Sequence, residues 1–373
     1  MEEKMKAIFI LIGIMGWIAL IGSICIYLKI MKNKRQSLKM NNREYIGPKI
    51  VVIGGGTGQS VFLRGLKHFT QNITAVVTVA DDGGGSGALR EDLGMLPPGD
   101  IRNCLLALAN IEPTMNEIMQ YRFTEGALKG QSLGNLFLAA MNGLYGNFET
   151  AVYKMSEIFA ITGRVLPVTL EDINLIAKLH NGSLIKGESS IPKEVKHQNS
   201  QIDKIYLYPK SAKPLEEVIN SIQDADVIVM GPGSLYTSII PNLLVKGVVS
   251  AIKKSNATKV YISNIMTQPG ETDNYNVLNH IEGIIKHTEA GLVDYVIANN
   301  EILPNNIFSL YKRDGAEQVL LDENQREALK NMGIKVIEDN LIEIKNNYIR
   351  HDAKHISSII TNLSLSHIYD EDK

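Results

Sequence analysis

The stretch from Ile50 to Cys104 constrains the fold more than any other part of the chain. In order it reads IVVIGGGTGQSVFLRGLK, ITAVVTVADDGGGSGALR and LPPGDIRNC. Residues 50–53 are a β-branched run that stops at Gly54-Gly-Gly-Thr-Gly58, and Val61, Phe62, Leu63 and Leu66 then recur at helical spacing. A strand that enters a helix through glycines gathers unpaired backbone N–H groups and the positive end of a helix dipole at one point. Such a point is an anion site, most often for phosphate. The second run, residues 73–80, ends in Asp81-Asp82 and another glycine turn. Two adjacent strands thus deliver a phosphate cradle and a carboxylate pair to one sheet edge, and the ligand or the chemistry is expected there.

The same alternation continues downstream. Strand patterns fall at 165–168, 175–178, 204–208, 226–230, 259–263, 294–298 and 335–337. Helical patterns fall at 101–109, 135–142, 149–159, 215–223, 243–253 and 277–287. This predicts an α/β fold with a doubly wound, mainly parallel sheet, on which ligands sit beyond the carboxyl ends of the strands near a topological switch point. Residues 172–203 read as an excursion with short strands of its own, a flap on a domain spanning 49–365, with a tail at 366–373. A chain of 373 residues has room for one large domain or two ordinary ones. Its hydrophobic share of 45% is globular, and a net charge of -2 gives no sign of a nucleic-acid partner.

The N-terminus carries a second message. After a short segment at 1–6, residues 7–28 contain no charge and match the roughly 20 residues that a membrane-spanning helix needs. A cleaved signal peptide is the alternative, but no small-x-small cleavage site precedes the polar sequence. Lys29, Lys32, Lys34, Arg35, Lys39 and Arg43 crowd the basic linker at 29–48, which places the downstream chain in the cytoplasm. The expectation is a single-pass cell-membrane anchor with a cytoplasmic main domain. Cys25 falls in that span and Cys104 in the domain, so no disulfide framework is expected.

A dinucleotide site is the first test of the glycine turn. Asp81 or Asp82 suits a ribose hydroxyl, but Gln59 stands where the fingerprint needs glycine or alanine, so neither nicotinamide nor flavin is expected. In the segment 96–103, Asp100 is placed either to cap the helix that follows or to join the site, while Arg102 and Asn103 sit in its first turn. Arg64, Arg90 and Arg102 can each grip phosphate in a forked geometry or make ordinary ion pairs. Asp81, Asp82 and Asp100 together suit Mg²⁺, which takes a few carboxylates plus substrate phosphates. Ser132 reads as a cap, and Gly134-Asn135 implies close approach of the backbone to a ligand or to a neighbouring helix. A second strand–glycine–helix unit at 226–238 offers Ser234, Thr237 and Ser238, and a second nest of N–H groups suits a diphosphate. Asn264, Thr267 and Gln268 can hydrogen-bond a base or sugar. His68, His180, His280 and His287 read as surface or helix positions, so no general base stands out.

Taken together, GGGTGQSVFLRGLK, VTVADDGGGSGALR, LPPGDIRNC, KGQSLGNLFLAA, GPGSLYTSIIPNLLV and NIMTQPGET resemble the gluconeogenesis factor family, also called YvcK or CofD-like proteins, over residues 49–363. The resemblance implies a Rossmann-like fold related to 2-phospho-L-lactate transferase. That enzyme moves a phospholactyl group from a guanosine diphosphate donor to a deazaflavin precursor with Mg²⁺. For the gluconeogenesis-factor branch it implies UDP-sugar binding and support of cell shape and cell-wall upkeep during growth on gluconeogenic carbon. Carried over by motif, Gly55, Gly56, Thr57 and Gly58 cradle phosphate, and Asp81 and Asp82 face acceptor and metal. Asp100, Arg102, Asn103 and Asn135 fall in the signature segments, and Gly233, Ser234, Leu235 and Thr237 form the second nucleotide loop. Gly85 stands where the family has Ser, Ala88 where it has Arg, and Gln59 where it has Leu. A span at the N-terminus is atypical and suggests tethering near wall-precursor synthesis. Two readings remain open: a regulator that reports UDP-sugar supply to wall-building or regulatory proteins, and a Mg²⁺-dependent transferase in which Asp81 and Asp82 are catalytic. The resemblance also implies a homodimer.

Overall fold

The computed structural model describes residues 47–370 except 112 and 347. The expected segment 1–6, the span at 7–28, most of the linker at 29–48 and the end of the tail lie outside the described residues. Among the described residues no single helix is long and apolar enough to cross a membrane.

The frame comes from short strands rich in branched apolar residues, buried almost throughout in the middle of the sheet and partly exposed at its two edges. They are β1 (Ile50–Gly54), β2 (Ile73–Val77) and β3 (Arg164–Pro167), then, after an excursion, β7 (Val227–Met230), β8 (Thr258–Ile262), β9 (Tyr295–Asn299) and β10 (Lys335–Asp339). They form a seven-stranded sheet in the order β10-β9-β8-β7-β1-β2-β3, parallel throughout. The chain leaves β1 toward β2 and β3, then returns to β7 on the other side of β1 and walks away through β10. Strand order therefore reverses between β1 and β7, where Ile50 pairs with Val227 and Ile53 with Met230. The carboxyl ends of those two strands are Gly54 and Met230, which is where a doubly wound sheet opens its ligand crevice.

Three helices follow the first glycine stretch: α1 (Gly56–Leu66), α2 (Gly84–Leu93) and α3 (Gly99–Leu108). The excursion is an antiparallel sheet ordered β5-β4-β6, from β4 (Asn174–Leu179), β5 (Leu184–Lys186) and β6 (Ile202–Tyr208), with the helix Ile191–Gln198 alongside. Hydrogen bonds fasten it to a turn and to the helix Val277–His287 beside the large sheet. The Ser189 amide donates to Asp82 Oδ1 at 2.9 Å, and the Ile205 amide donates to His287 Nε2 at 2.8 Å.

Two regions depart from the sequence reading. The single helix expected at 243–253 is two, Ile240–Leu244 and Val248–Lys254, because Gly247 adopts φ 90, a left-handed conformation that interrupts the helical backbone. The C-terminal part holds an unforeseen hairpin, β11 (Ile342–Lys345) paired with β12 (Tyr348–His351), followed by the helix Ala353–Asp370. That helix starts against α1 at Gly65, where a Cβ would lie 2.5 Å from the Ala353 carbonyl carbon.

Candidate functional site

Both glycine loops meet at the switch point. Gly55 is the extended N-cap of α1 and has no side chain to cap it; Asp100 takes the Gly56 amide, which leaves the amides that follow in the first turn without a side-chain cap. A Cβ on Gly58 would lie 2.7 Å from the Pro232 carbonyl oxygen, and one on Gly55 would lie 2.6 Å from Thr78 Cγ2. Glycine is needed here because the second loop, Gly231-Pro232-Gly233, packs directly against the first. Asn242 fastens the two together: its Nδ2 donates to the carbonyls of Gly54 at 2.8 Å and Ser238 at 2.7 Å. After Ser234 the chain enters a π-helical turn, Leu235–Ile239.

A cavity of about 330 Å³ lies over this junction. Its floor is residues 55–58 with Pro232, Gly233 and Ser234, and one wall holds Asn264 and Gln268. Gln268 Nε2 donates to Ser234 Oγ at 2.6 Å, so the wall and the second loop share one polar network. The opposite wall is Tyr311, Arg350 and His351, which the sequence reading missed. The available signal was the alternation IEIKNNYIRH around an Asn-Asn turn, a hairpin pattern. His351 Nε2 donates to the Ser263 carbonyl at 3.0 Å, and burial lowers its pKa to about 4, so the ring is neutral near pH 7.

Carboxylates crowd the neighbouring turns. Asp81 Oδ1 accepts from the Gly83 amide at 2.9 Å and Asp82 Oδ1 from the Ser189 amide, and among the described residues the second oxygen of each accepts no hydrogen bond. Asp100 does not cap its own helix: α3 begins at Gly99 with no side-chain cap, and the Asp100 carboxylate instead accepts from the Gly56 amide. Burial and the charge of Asp81 raise Asp100 to about 6. Two further acids join that were not foreseen. Glu271 accepts from Thr237 Oγ1 at 3.3 Å, and burial raises it to about 7. Glu188 is raised to about 8 by burial and by Asp81, Glu271, Asp82 and Asp100. Among the described residues no group of three or more His, Cys, Asp or Glu side chains is arranged to hold a metal ion. Two carboxylates completed by phosphate oxygens nevertheless suit Mg²⁺, and uncompensated negative charge is what such an ion neutralises.

Several expected site residues are otherwise engaged or lie elsewhere. Arg90 stays beside the acidic turn, donating to the Asp81 carbonyl at 3.4 Å, and also to Asp172 and the Ile173 carbonyl, which fastens α2 to the start of the excursion. Arg102 is buried, donating to Ser132 Oγ at 2.5 Å and to Asn103 Oδ1 at 2.6 Å. The close approach at Gly134 is to a neighbouring helix, since a Cβ there would meet Arg102 Cδ at 2.6 Å. Ser132 caps its helix through the Asn135 amide, and Asn135 is itself buried. Leu235 and Thr237 are buried in the π turn, and Arg64 lies on the outer face of α1 in a separate groove. Thr267 is occupied by Glu317, whose amide donates to its hydroxyl at 2.8 Å. His280 and His287 are helix residues, as one of the two readings had it, on the buried face of the helix Val277–His287. Gln59 explains the failed fingerprint: it is fully buried, and its Nε2 donates to the carbonyls of Val52 at 2.9 Å and Val76 at 3.1 Å, bridging β1 and β2.

This geometry has known counterparts. The family model described as 2-phospho-L-lactate transferase CofD matches residues 50–342. A Thermoanaerobacterium thermosulfurigenes protein, "Putative gluconeogenesis factor", is 59% identical over 87% of this chain and 99% of its own length. The chain belongs to the CofD-like gluconeogenesis factor family. The "Gluconeogenesis factor" of Bacillus subtilis is 46% identical over 85% of this chain and 98% of its own. A crystal structure of a Bacillus halodurans protein matches with a TM-score of 0.81 at 45% identity, covering 84% of this chain and 99% of that one. Family members thus share the sheet, and the likeness covers the residues that build the switch point.

Proposed function

We propose that this chain binds a UDP-sugar across the two glycine loops and acts as a regulator supporting cell shape and cell-wall homeostasis during gluconeogenic growth. The observation that carries the binding part is the meeting of two glycine loops at the switch point, beneath a cavity with Asn264, Gln268 and Tyr311 in its walls. Outward amides on the loops suit a diphosphate, and the polar walls suit a base or sugar. The regulatory part rests on the family. The uncharged stretch at 7–28 supports a single-pass anchor at the cell membrane, with the domain in the cytoplasm near wall-synthesis or regulatory proteins. Homodimerisation is proposed on the family resemblance.

The acidic cluster favours a second reading, a Mg²⁺-dependent transfer of a phosphoryl-linked group from a nucleotide diphosphate. In that reading Asp81 and Asp82 would hold the ion together with the ligand's phosphates, and the ion would supply charge neutralisation at the transferred group.

The test is thermal unfolding of the full chain with UDP-sugars, UDP, GDP and NAD, each with and without Mg²⁺. Ligand at about a hundredfold over its Kd adds about 2.7 kcal/mol. Selective stabilisation by a UDP-sugar recovered intact supports the regulator. Consumption of the donor once an acceptor is added moves the conclusion to the transferase, and a response to NAD alone overturns both.

A further inference from the structure

A second, larger cavity of about 800 Å³ runs along the outer face of α1, between that helix and the β11–β12 hairpin. Four cations face it, Arg64, Lys345, Arg350 and Lys354, against two carboxylates, Glu343 and Asp352. Asp352 is partly engaged, because its Oδ1 accepts from the His355 amide at 3.0 Å. Neither Arg64 nor Arg350 makes an ion pair or hydrogen bond among the described residues. Desolvation and the like charge of Arg350 both lower the pKa of Arg64, the mark of two guanidinium groups held near each other without a counter-ion.

The groove adjoins the glycine-loop cavity. A connecting space of about 300 Å³ is bounded by Thr57, Gly58 and Val61 on one side and residues 348–351 on the other. It shares Thr57 and Gly58 with the inner cavity, and Val61 and Arg350 with the outer groove. Gly58 and Arg64 are separated along α1 by about 9 Å at 1.5 Å per residue. Helical side chains lean toward the N-terminus, the end of α1 at which the glycine loops lie.

We propose that the outer groove is a subsite for an anionic substituent on the distal group of the bound nucleotide diphosphate, with Arg64 as the selecting residue. The inference rests on the nucleotide-sugar reading above and deepens it: the site prefers a glycosyl group carrying a carboxylate or phosphate over a neutral one. A guanidinium recognises such a group through paired N–H donors.

The test is calorimetric titration of the full chain with UDP, UDP-glucose and UDP-glucuronate at low salt, for the parent, R64A and R64K. The quantity read is the ratio of the two sugar-nucleotide affinities, because general damage to the site lowers both and leaves their ratio unchanged. The parent should favour UDP-glucuronate by at least about tenfold, the lower end for one charge-assisted contact. R64A should bring the ratio to about one, R64K should keep part of it, and added salt should shrink it. Binding of both sugars without preference, or a preference that survives R64A, overturns the subsite and leaves the nucleotide-sugar reading standing. Failure of every uridine nucleotide to bind overturns both.

Discussion

Gly58 separates the two loops by the width of a missing methyl group. An alanine there would place its Cβ 2.7 Å from the Pro232 oxygen and 3.2 Å from Gly233 Cα, both backbone atoms that cannot swing aside. Gly58→Ala should therefore lower unfolding free energy by about 1–3 kcal/mol, as overpacking does. It should also weaken uridine nucleotides by at least about tenfold by parting the cradle. Parent-like affinity in titration would show that the cradle tolerates separation. The raised acids give a prediction of opposite sign to ordinary acid denaturation. Asp100, Glu271 and Glu188 rise to about 6, 7 and 8 from 3.8, 4.5 and 4.5, so each binds its proton more tightly folded than unfolded. Their contribution to stability is greatest below about pH 4 and declines as pH rises through the folded values. Glu271→Gln keeps the volume and an acceptor for Thr237, so it should flatten the decline above about pH 5 and stabilise at about pH 8 by on the order of 3 kcal/mol. Equal pH slopes in urea unfolding for variant and parent would refute this. At this scale the glycines and the Asp81-Asp82 pair were legible because their chemistry is local. Arg90 and Arg102 were not: which acceptor a guanidinium meets, Asp172 or Ser132, depends on chain that returns from far along the sequence.

The central strands were readable because a parallel strand buried on both faces must be a short unbroken apolar run, as at residues 50–53, 73–77 and 227–230. The break at Gly247 was not, since a lone glycine inside a helical pattern is compatible with either outcome until its φ is known. The β11–β12 hairpin escaped notice because it is mostly exposed and its alternation IEIKNNYIRH marks no fully buried face, yet it supplies Arg350 and His351 to the cavity wall. Its position depends on the contact between α1 and the last helix at Gly65. Gly65→Ala would bring a Cβ to 2.5 Å from the Ala353 carbonyl carbon and 2.6 Å from its oxygen, so the last helix must shift. The expected result is a loss of about 1–3 kcal/mol, together with faster amide exchange at 348–351 and weaker nucleotide binding. A stability loss without any change in exchange at the hairpin would show that the hairpin holds its place independently of the last helix.

The molecule as a whole brings distant parts of the chain to one place: residues 55–58, 232–234 and 349–351 all border the same junction, and Asn264, Gln268 and Tyr311 line it beside them. The excursion reaches it as well, because Ser189 is bonded to Asp82 on one turn and Gln201 Nε2 donates to the Asp273 carbonyl at 3.3 Å on another. A ligand seated there binds only when all of these are in place, so any local opening that exposes one of them expels it. Hydrogen exchange should therefore slow on addition of a UDP-sugar in all three segments together, and by a similar factor. Residues 187–192 should follow, because the Asp82–Ser189 bond ties that stretch to the acidic turn beside the cradle. Asp82→Asn retains an acceptor for the Ser189 amide and should preserve this co-protection, whereas Asp82→Ala should release 187–192 while the three loop segments still respond. Protection confined to 55–58 would mean that the ligand rests on α1 alone and that the returning strands, for all their proximity, do not complete its site.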